Sequence, residues 1–385
     1  MGQDKYQGAL QKPINSGFNA ASTTSDEIKG NDHTGKTAIV TDGNPGAQGP
    51  VRPSFDPMVA AGLAAFEAGA SEVNADNLIH MRQLQHDSYA VSLETLSCDD
   101  TFEVADILVP GLEPGAPDVP LLVCTPKLVD RPTPVFFYVH AGGMVLGDNR
   151  VLVTKFLGYA SRFGMALVSV DYRLAPEHPH PAPVNDCYAG LLWLASHSEQ
   201  LGIDPERIVV IGASAGGGLA AAITLMARDD ASGPSILGQL LECPMLDHRN
   251  NTVSARSITS GDSWTHASNQ YGWDALLGEG HQDREVSSYA SPARANNFSN
   301  LPPTFIDVGS AEVFRDEAVA YASAIWAAGG DAELHVWPGG CHGFDVVAPT
   351  AAISQGALNA RHAWLTRLLS ETQGEEAKAT EPVDE

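Results

Sequence analysis

One serine lies in a glycine-rich stretch between a strand-like run and a helix-like run. The stretch RIVVIGASAGGGLAAA spans Arg207 to Ala222 and sets Ser214 in the pattern G-x-S-x-G. Glycines at such a junction can direct backbone N–H groups at a phosphate, or they can hold a serine on a sharp turn as an exposed nucleophile. Residues 212–227 contain no Lys or Arg to complete a phosphate site. The pattern therefore favours a nucleophilic serine.

Two adjacent glycines follow another strand-like run, PVFFYV. In the sequence HAGGMVLGD, Gly142 and Gly143 can point successive backbone N–H groups at one spot. The tetrahedral intermediate of an acyl transfer needs such donors, and each lowers the barrier by roughly 3 kcal/mol. An ordinary glycine turn is the alternative interpretation.

A histidine and several acids follow the last two strand-like runs. His342 lies in GGCHGF after the final run, and GSAEVFRDE carries Glu312 and Asp316 after the preceding one. A histidine in that loop can reach over the sheet toward a serine, and a carboxylate can orient its imidazole. These residues are candidates for a general base and its acid partner.

Strand-like and helix-like runs alternate through most of the chain and must position these residues. Helical patterns cover 151–163, 184–198, 217–228, 314–328 and 357–369, between apolar runs read as strands: LLVCTP, PVFFYVH, ALVSVDY, RIVVIG, GQLLECP, PTFIDVG and AELHVWPG. Continuous apolar strands that alternate with helices predict an α/β fold with a mostly parallel sheet covered on both faces.

Two segments interrupt the alternation and are candidates for a helical cap over the open end of the sheet. Residues 53–90 look helical and precede the first predicted strand, and residues 248–295 form a long interval between strands. Trp264, Tyr271 and Trp273 in the second segment either line an acyl pocket or pack the cap.

Composition excludes several classes of function. The formal net charge of −25 leaves no basic surplus for nucleic acid. The five cysteines form no C-x-x-C pair, and His178 and His180 alternate with prolines without zinc-site spacing. No apolar stretch is long enough to span a bilayer, and no signal peptide is evident. We expect a soluble cytoplasmic protein without a metal, without a membrane or nucleic-acid partner, and with a homodimer as a possible assembly.

The two ends of the chain differ from the rest. Residues 1–45 resemble the leader and first strand of short-chain dehydrogenases, but Asp42 stands where their nucleotide loop has glycine, and no βαβ unit follows. We expect 1–50 to be a poorly ordered extension, 51–370 to form the folded domain, and the acidic residues 371–385 to be a disordered tail.

From about residue 53 to 370 the chain resembles the hormone-sensitive-lipase family of α/β-hydrolases, the bacterial-type carboxylesterases. The motifs appear in family order: HAGG for H-G-G-G, YRLAPEHPHPAP, GASAGG for G-D-S-A-G-G, LPPTFIDVGSAEVFRDE and HGF. The resemblance implies an α/β-hydrolase fold with an eight-stranded sheet and a cap. It also implies Ser214 as nucleophile, His342 as general base and then acid, and the backbone N–H groups of Gly142, Gly143 and Ala215 as oxyanion donors.

Three positions depart from the family pattern. Ala141 replaces a motif glycine and Ala213 replaces the usual acid before the serine, but neither change removes a backbone donor. The family's D-P-L-R-D-E becomes EVFRDE, so Glu312 stands where the first Asp orients the histidine. Glu can supply the same anion to Nδ1–H, and we favour it over Asp316 and over Asp307.

These observations together predict a serine carboxylesterase that hydrolyses short-chain esters through an acyl-enzyme. Its only required partner is a small-molecule ester, and no cofactor is implied. Lactonase or amidase activity on the same residues stays open, as does a nicotinamide-dependent oxidoreductase based on residues 30–46.

Overall fold

The computed structural model describes residues 51–66, 72–97, 101–128 and 132–379, with side chains described up to residue 370. The predictions for 1–50, including the dehydrogenase-like stretch 1–45, lie outside these residues.

A single eight-stranded sheet forms the centre of the described chain. Its spatial order is β1-β2-β4-β3-β5-β6-β7-β8. The pairs β1–β2 and β2–β4 are antiparallel and the remaining pairs are parallel. The strands are Phe102–Val109 (β1), Val119–Pro126 (β2), Thr133–Val139 (β3), Ala166–Val170 (β4), Ile203–Ala213 (β5), Gly238–Glu242 (β6), Thr304–Gly309 (β7) and Ala332–Trp337 (β8). The predicted mostly parallel eight-stranded sheet is confirmed.

Apolar side chains leave both faces of the central strands. In β3, Val135, Phe137 and Val139 enter one buried cluster, while Phe136 and Tyr138 enter another. Successive side chains of a strand point to opposite faces, so a run that is apolar throughout must be covered on both.

The helices supply that cover. They are Pro57–Phe66 (α1), Leu78–Tyr89 (α2), Leu93–Ser97 (α3), Val153–Phe163 (α4), Ala182–Ser196 (α5), Ala215–Asp229 (α6), Val253–Ser257 (α7), His266–Leu277 (α8), Arg315–Ala327 (α9), Phe344–Val347 (α10) and Ala352–Ala379 (α11). Short 3₁₀ turns occupy His281–Asp283 and Pro292–Arg294. Side chains of α5, α6 and α9 pack on one face, and those of α4 and α11 pack on the other. Helices on both faces are therefore confirmed.

Two elements differ from those predicted from the sequence. Strand β1 was absent from the apolar runs because its sequence, FEVADILV, is largely exposed at the sheet edge, with only Phe102 and Val109 buried. Helix α11 continues to Ala379 and so crosses the boundary expected at residue 370. Residues 380–385 lie outside those described, and disorder of the tail stays a prediction. No helix in the described ranges is both long enough and apolar enough to cross a membrane.

A buried ion cluster links several elements near the carboxyl ends of β6 and β7. It consists of Lys155, Glu242, Asp307, Asp345 and Arg361, all side chains with little exposure. Arg361 Nε and Nη2 donate to Asp307 at 3.0 and 3.1 Å, and Nη1 donates to Asp345 at 2.5 Å. Lys155 Nζ donates to Glu242 and, at 2.7 Å, to Asp345. Burial opposes ionisation of Asp345, but Lys155 and Arg361 hold its pKa well below the ordinary value. The cluster therefore joins α4, β6, β7, α10 and α11 through charge.

Replacing Arg361 by Met should destabilise the protein by about 3–5 kcal/mol, because it leaves the buried Asp307 carboxylate without its cation. Urea unfolding at neutral pH measures this change. Arg367→Met is the matched control: Arg367 pairs with Glu333 but is half exposed, so its removal should change stability by less than about 1 kcal/mol. Equal losses in the two variants would contradict this account of the cluster.

Candidate active site

Ser214 occupies the turn between β5 and α6, and its backbone has a left-handed φ of 57°. A non-glycine residue adopts this conformation only where the surrounding structure holds it. An added Cβ at Gly212 would lie 2.2 Å from the carbonyl oxygen of Gly216, and one at Gly216 would lie 2.1 Å from that of Val139. The glycines of G-x-S-x-G therefore permit the close backbone approach that the sharp turn requires.

His342 and Glu312 complete a continuous hydrogen-bonded chain with Ser214. The His342 Nδ1 atom lies 2.6 Å from Glu312 Oε2, and Nε2 lies 3.0 Å from Ser214 Oγ. A carboxylate only accepts, so Nδ1 carries the hydrogen and Nε2 can accept from the serine hydroxyl. Glu312 is fully buried, and its Oε1 accepts from the Gly309 N–H at 3.0 Å. The structure brings together the three side chains singled out from the sequence.

The two rival acids are engaged elsewhere. Asp316 accepts from the Ser254 N–H at 2.8 Å and from Arg315 Nε at 2.8 Å. Asp307 pairs with Arg361 in the buried ion cluster. Neither carboxylate bonds His342, whereas Glu312 does.

The surroundings of His342 shift its pKa in opposite directions. Burial lowers the pKa of His342, but Cys243 and the Glu312 carboxylate raise it, and the net pKa lies well above the ordinary value. Because a neutral imidazole is needed to accept a proton, a base in this setting works best on the alkaline side of that pKa.

Gly142 and Gly143 form the loop after β3, and both have positive φ, 141° and 61°. An added Cβ would lie 2.0 Å from the Leu146 carbonyl oxygen at Gly142 and 2.3 Å from the Trp264 ring at Gly143. Ala215 is the first residue of α6, where the helix dipole places partial positive charge. Within the described chain, no turn or loop carbonyl accepts from the N–H groups of these three residues. They are free to donate to an oxyanion.

A cavity of about 870 Å³ opens onto Ser214 and His342. Its wall combines site residues with residues of both predicted cap segments, among them Glu72, Val73, Met81, Asp262, Ser263, Trp264 and Ser268. This volume lies within the range of small-molecule sites. Trp264 lines the cavity, whereas Trp273 is fully buried in the core and Tyr271 does not border the cavity. Of these three aromatic residues, Trp264 is therefore the one placed to line an acyl pocket.

One group in the described residues could offer ligands to a metal ion. Cys243, Glu312 and His342 have potential ligand atoms within 4.8 Å of one another. Both oxygens of Glu312 are already hydrogen-bonded, to Gly309 and to His342, so an ion would have to compete with the histidine for the carboxylate.

Sequence reasoning missed two residues that contact His342, Asp262 and Ser263. They lie about 80 positions away in the chain and belong to no motif. The sequence pointed to these two residues only through their position inside the long interval 248–295.

Comparisons with known proteins find relatives of this chain that are named esterases. A family model described as alpha/beta hydrolase fold matches residues 136–346. Carboxylesterase NlhH of Mycobacterium tuberculosis is 36% identical over 255 residues, 63% of this chain and 77% of the relative. Esterase LipI of the same species is 31% identical over 328 residues, 80% of this chain and 95% of the relative.

Two solved structures with a similar fold are named esterases as well. A bacterial heroin esterase matches with a TM-score of 0.74 and 36% sequence identity. The match covers 82% of this chain and 98% of the esterase chain. Esterase LipW from Mycobacterium marinum matches with a TM-score of 0.72 and 31% sequence identity. The match covers 83% of this chain and 98% of the LipW chain. These matches lend no support to the dehydrogenase resemblance of residues 1–45. The chain therefore belongs to the α/β-hydrolase family, in its hormone-sensitive-lipase-like branch, and is a serine carboxylesterase.

Proposed function

We propose that Ser214 is the nucleophile, His342 the general base and acid, and Glu312 the acid that orients the imidazole. The observation that carries this proposal is the unbroken chain from Ser214 Oγ through His342 to Glu312, at 3.0 and 2.6 Å, at the edge of the cavity. The order of these residues along the chain is that of other α/β-hydrolases.

The reaction begins when Ser214 Oγ attacks the ester carbonyl carbon and its proton passes to His342 Nε2. The Glu312 carboxylate stabilises the imidazolium. The carbonyl oxygen becomes an oxyanion, which accepts from the N–H groups of Gly142, Gly143 and Ala215. Collapse of this intermediate breaks the bond to the alcohol oxygen, which takes the proton from His342 and leaves an acyl ester on Ser214.

Water then repeats the same steps. His342 Nε2 takes a proton from water as the oxygen attacks the acyl carbon, and the second oxyanion occupies the same donors. The carboxylic acid leaves as Ser214 Oγ regains its proton. Trapping the acyl group on Ser214 tests the scheme.

The substrates are soluble esters with short acyl chains. Among the described residues of the predicted cap segments, Met58 and Ile79 are the only exposed large apolar side chains, whereas an interfacial lipase needs a broad apolar surface. The same triad can act on lactones or amides because it does not choose the leaving group. Cytoplasmic location and a homodimer stay predictions from the sequence.

Activity should be higher on dissolved p-nitrophenyl acetate or butyrate than on an emulsified long-chain ester, because the described residues of the cap segments expose only two large apolar side chains, Met58 and Ile79. Initial rates across a series of acyl lengths, below and above the solubility limit, measure this preference. A jump in rate when the long-chain ester forms an emulsion would contradict it.

A further inference from the structure

The peptide groups of His342 lie outside regular structure and are held by other parts of the chain. His342 follows Gly339, Gly340 and Cys341 and precedes the short helix α10. Its N–H donates to Asp262 Oδ1 at 3.1 Å, and its carbonyl oxygen accepts from Ser263 Oγ at 2.6 Å. Two consecutive residues of the segment 248–295 thus bond both peptide groups of the proposed base.

Asp262 and Ser263 are themselves fixed. Asp262 Oδ1 also accepts from the Ser263 N–H at 2.6 Å, and the Asp262 side chain is almost fully buried. Arg52 Nη1 donates to the carbonyl oxygens of Ser260 and Gly261 at 3.3 and 3.2 Å. The segment that contacts His342 is therefore anchored to the chain just before α1.

The next residue, Trp264, contacts the loop that follows β3. Its ring packs over Gly143, so closely that a Cβ there would lie 2.3 Å from Cη2. Trp264 Nε1 lies 3.3 Å from Asn269 Oδ1, to which it donates. The tripeptide 262–264 therefore contacts both the loop of the base and the loop of the proposed oxyanion donors.

We propose that Asp262 and Ser263 are positioning residues that hold the His342 loop at the distance from Ser214 that proton transfer requires. This inference rests on the proposed function of Ser214 and His342. The two side chains act through the backbone of His342 and take no part in bond making. A displacement of about 1 Å at a reacting group can lower a rate by about a hundredfold, so loss of these bonds should appear in turnover.

The acceptor oxygen of Asp262, rather than its charge, carries the effect. Oδ2 has no hydrogen-bond partner within the described chain, and burial raises the pKa of Asp262 to about 7. An asparagine retains an oxygen that can accept from the N–H groups of His342 and Ser263. Asp262→Asn should therefore preserve the function that Asp262→Ala removes.

The test compares Asp262→Ala, Asp262→Asn and Ser263→Ala with the wild-type protein on p-nitrophenyl butyrate. For Asp262→Ala we expect kcat to fall by about 10- to 100-fold with KM changed by less than about threefold, because positioning acts on the chemical step. Ser263→Ala should lower kcat by about tenfold, and Asp262→Asn should stay within about threefold of wild type. Ser257→Ala is the matched control, since its hydroxyl donates only to Ser254 within the same segment, and its kcat should be unchanged.

Labelling by a fluorophosphonate separates this inference from the proposed function. Wild-type protein should be labelled at Ser214, and Asp262→Ala should be labelled more slowly by a factor similar to its loss of kcat. Normal kcat and labelling in both Asp262→Ala and Ser263→Ala would overturn the inference and leave the triad intact. A kcat for Asp262→Asn as low as that for Asp262→Ala, or an effect confined to KM, would also overturn it. Failure of wild-type protein to label at Ser214 would overturn the proposed function and this inference together.

Discussion

The Ser214→Ala protein should lose about a millionfold in kcat, because it lacks the proposed hydroxyl that forms the acyl ester and so divides the reaction into two steps. Ser214 Oγ bonds only His342 Nε2 within the described chain, so the substitution removes a reacting atom and little structure. Turnover of p-nitrophenyl butyrate by purified protein measures the loss, with the thermal midpoint as a check on folding.

Ser169→Ala provides the matched control for that experiment. Ser169 is also buried, on β4, but its hydroxyl has no partner within the described residues. Its turnover should be close to that of wild type. Retention of more than about one part in a thousand of wild-type kcat by folded Ser214→Ala protein would contradict the assignment of Ser214 as the nucleophile.

The Glu312→Gln protein should lose about ten-thousandfold in kcat, as in triads whose acid is changed to an amide. The introduced amide can still accept from the Gly309 N–H, but it carries no charge to stabilise the imidazolium. Since the carboxylate raises the pKa of His342, its removal should also move the acid limb of the pH–rate profile of the residual activity to lower pH. Stopped assays across pH measure both effects.

Asp316→Asn tests the same substitution chemistry one helical turn later. Asp316 bonds Ser254 and Arg315 and does not reach His342. We expect a loss of less than about tenfold, since the amide can keep an acceptor for the Ser254 N–H. A dead Asp316→Asn protein beside a near-normal Glu312→Gln protein would reverse the assignment of the acid.

The sheet was predictable where burial on both faces leaves an apolar run. PVFFYV and RIVVIG became β3 and β5, whose side chains pack alternately on the two faces of the sheet. Strand β1 was missed because most of its side chains are exposed at the sheet edge, so its sequence contains no continuous apolar run. Periodicity thus reports burial, and it weakens at the edge of a sheet.

The site was predictable where motifs fix local geometry. G-x-S-x-G determines a turn within a few residues, so Ser214 could be chosen from the sequence alone. The acid could only be narrowed to a few carboxylates near the end of β7. The carboxylates are distinguished by partners that lie far away in the sequence. Arg361 from α11 pairs with Asp307, and Ser254 bonds Asp316.

Asp262 and Ser263 could not be found in this way. Their bonds to His342 depend on how an irregular segment folds across the sheet, and no residue spacing encodes that path. The buried ion cluster was missed for a similar reason, since its five members come from separate elements.

Mass spectrometry of the trapped intermediate tests the central claim most directly. Wild-type protein is mixed with p-nitrophenyl butyrate, quenched in acid within the first turnovers, digested and mapped, with Ser214→Ala protein treated in parallel. The account predicts one added butyryl group on the peptide that contains Ser214 in the wild-type sample and none in the variant. A butyryl group on another residue of the wild-type protein during normal turnover, or an equal adduct in the variant, would contradict it.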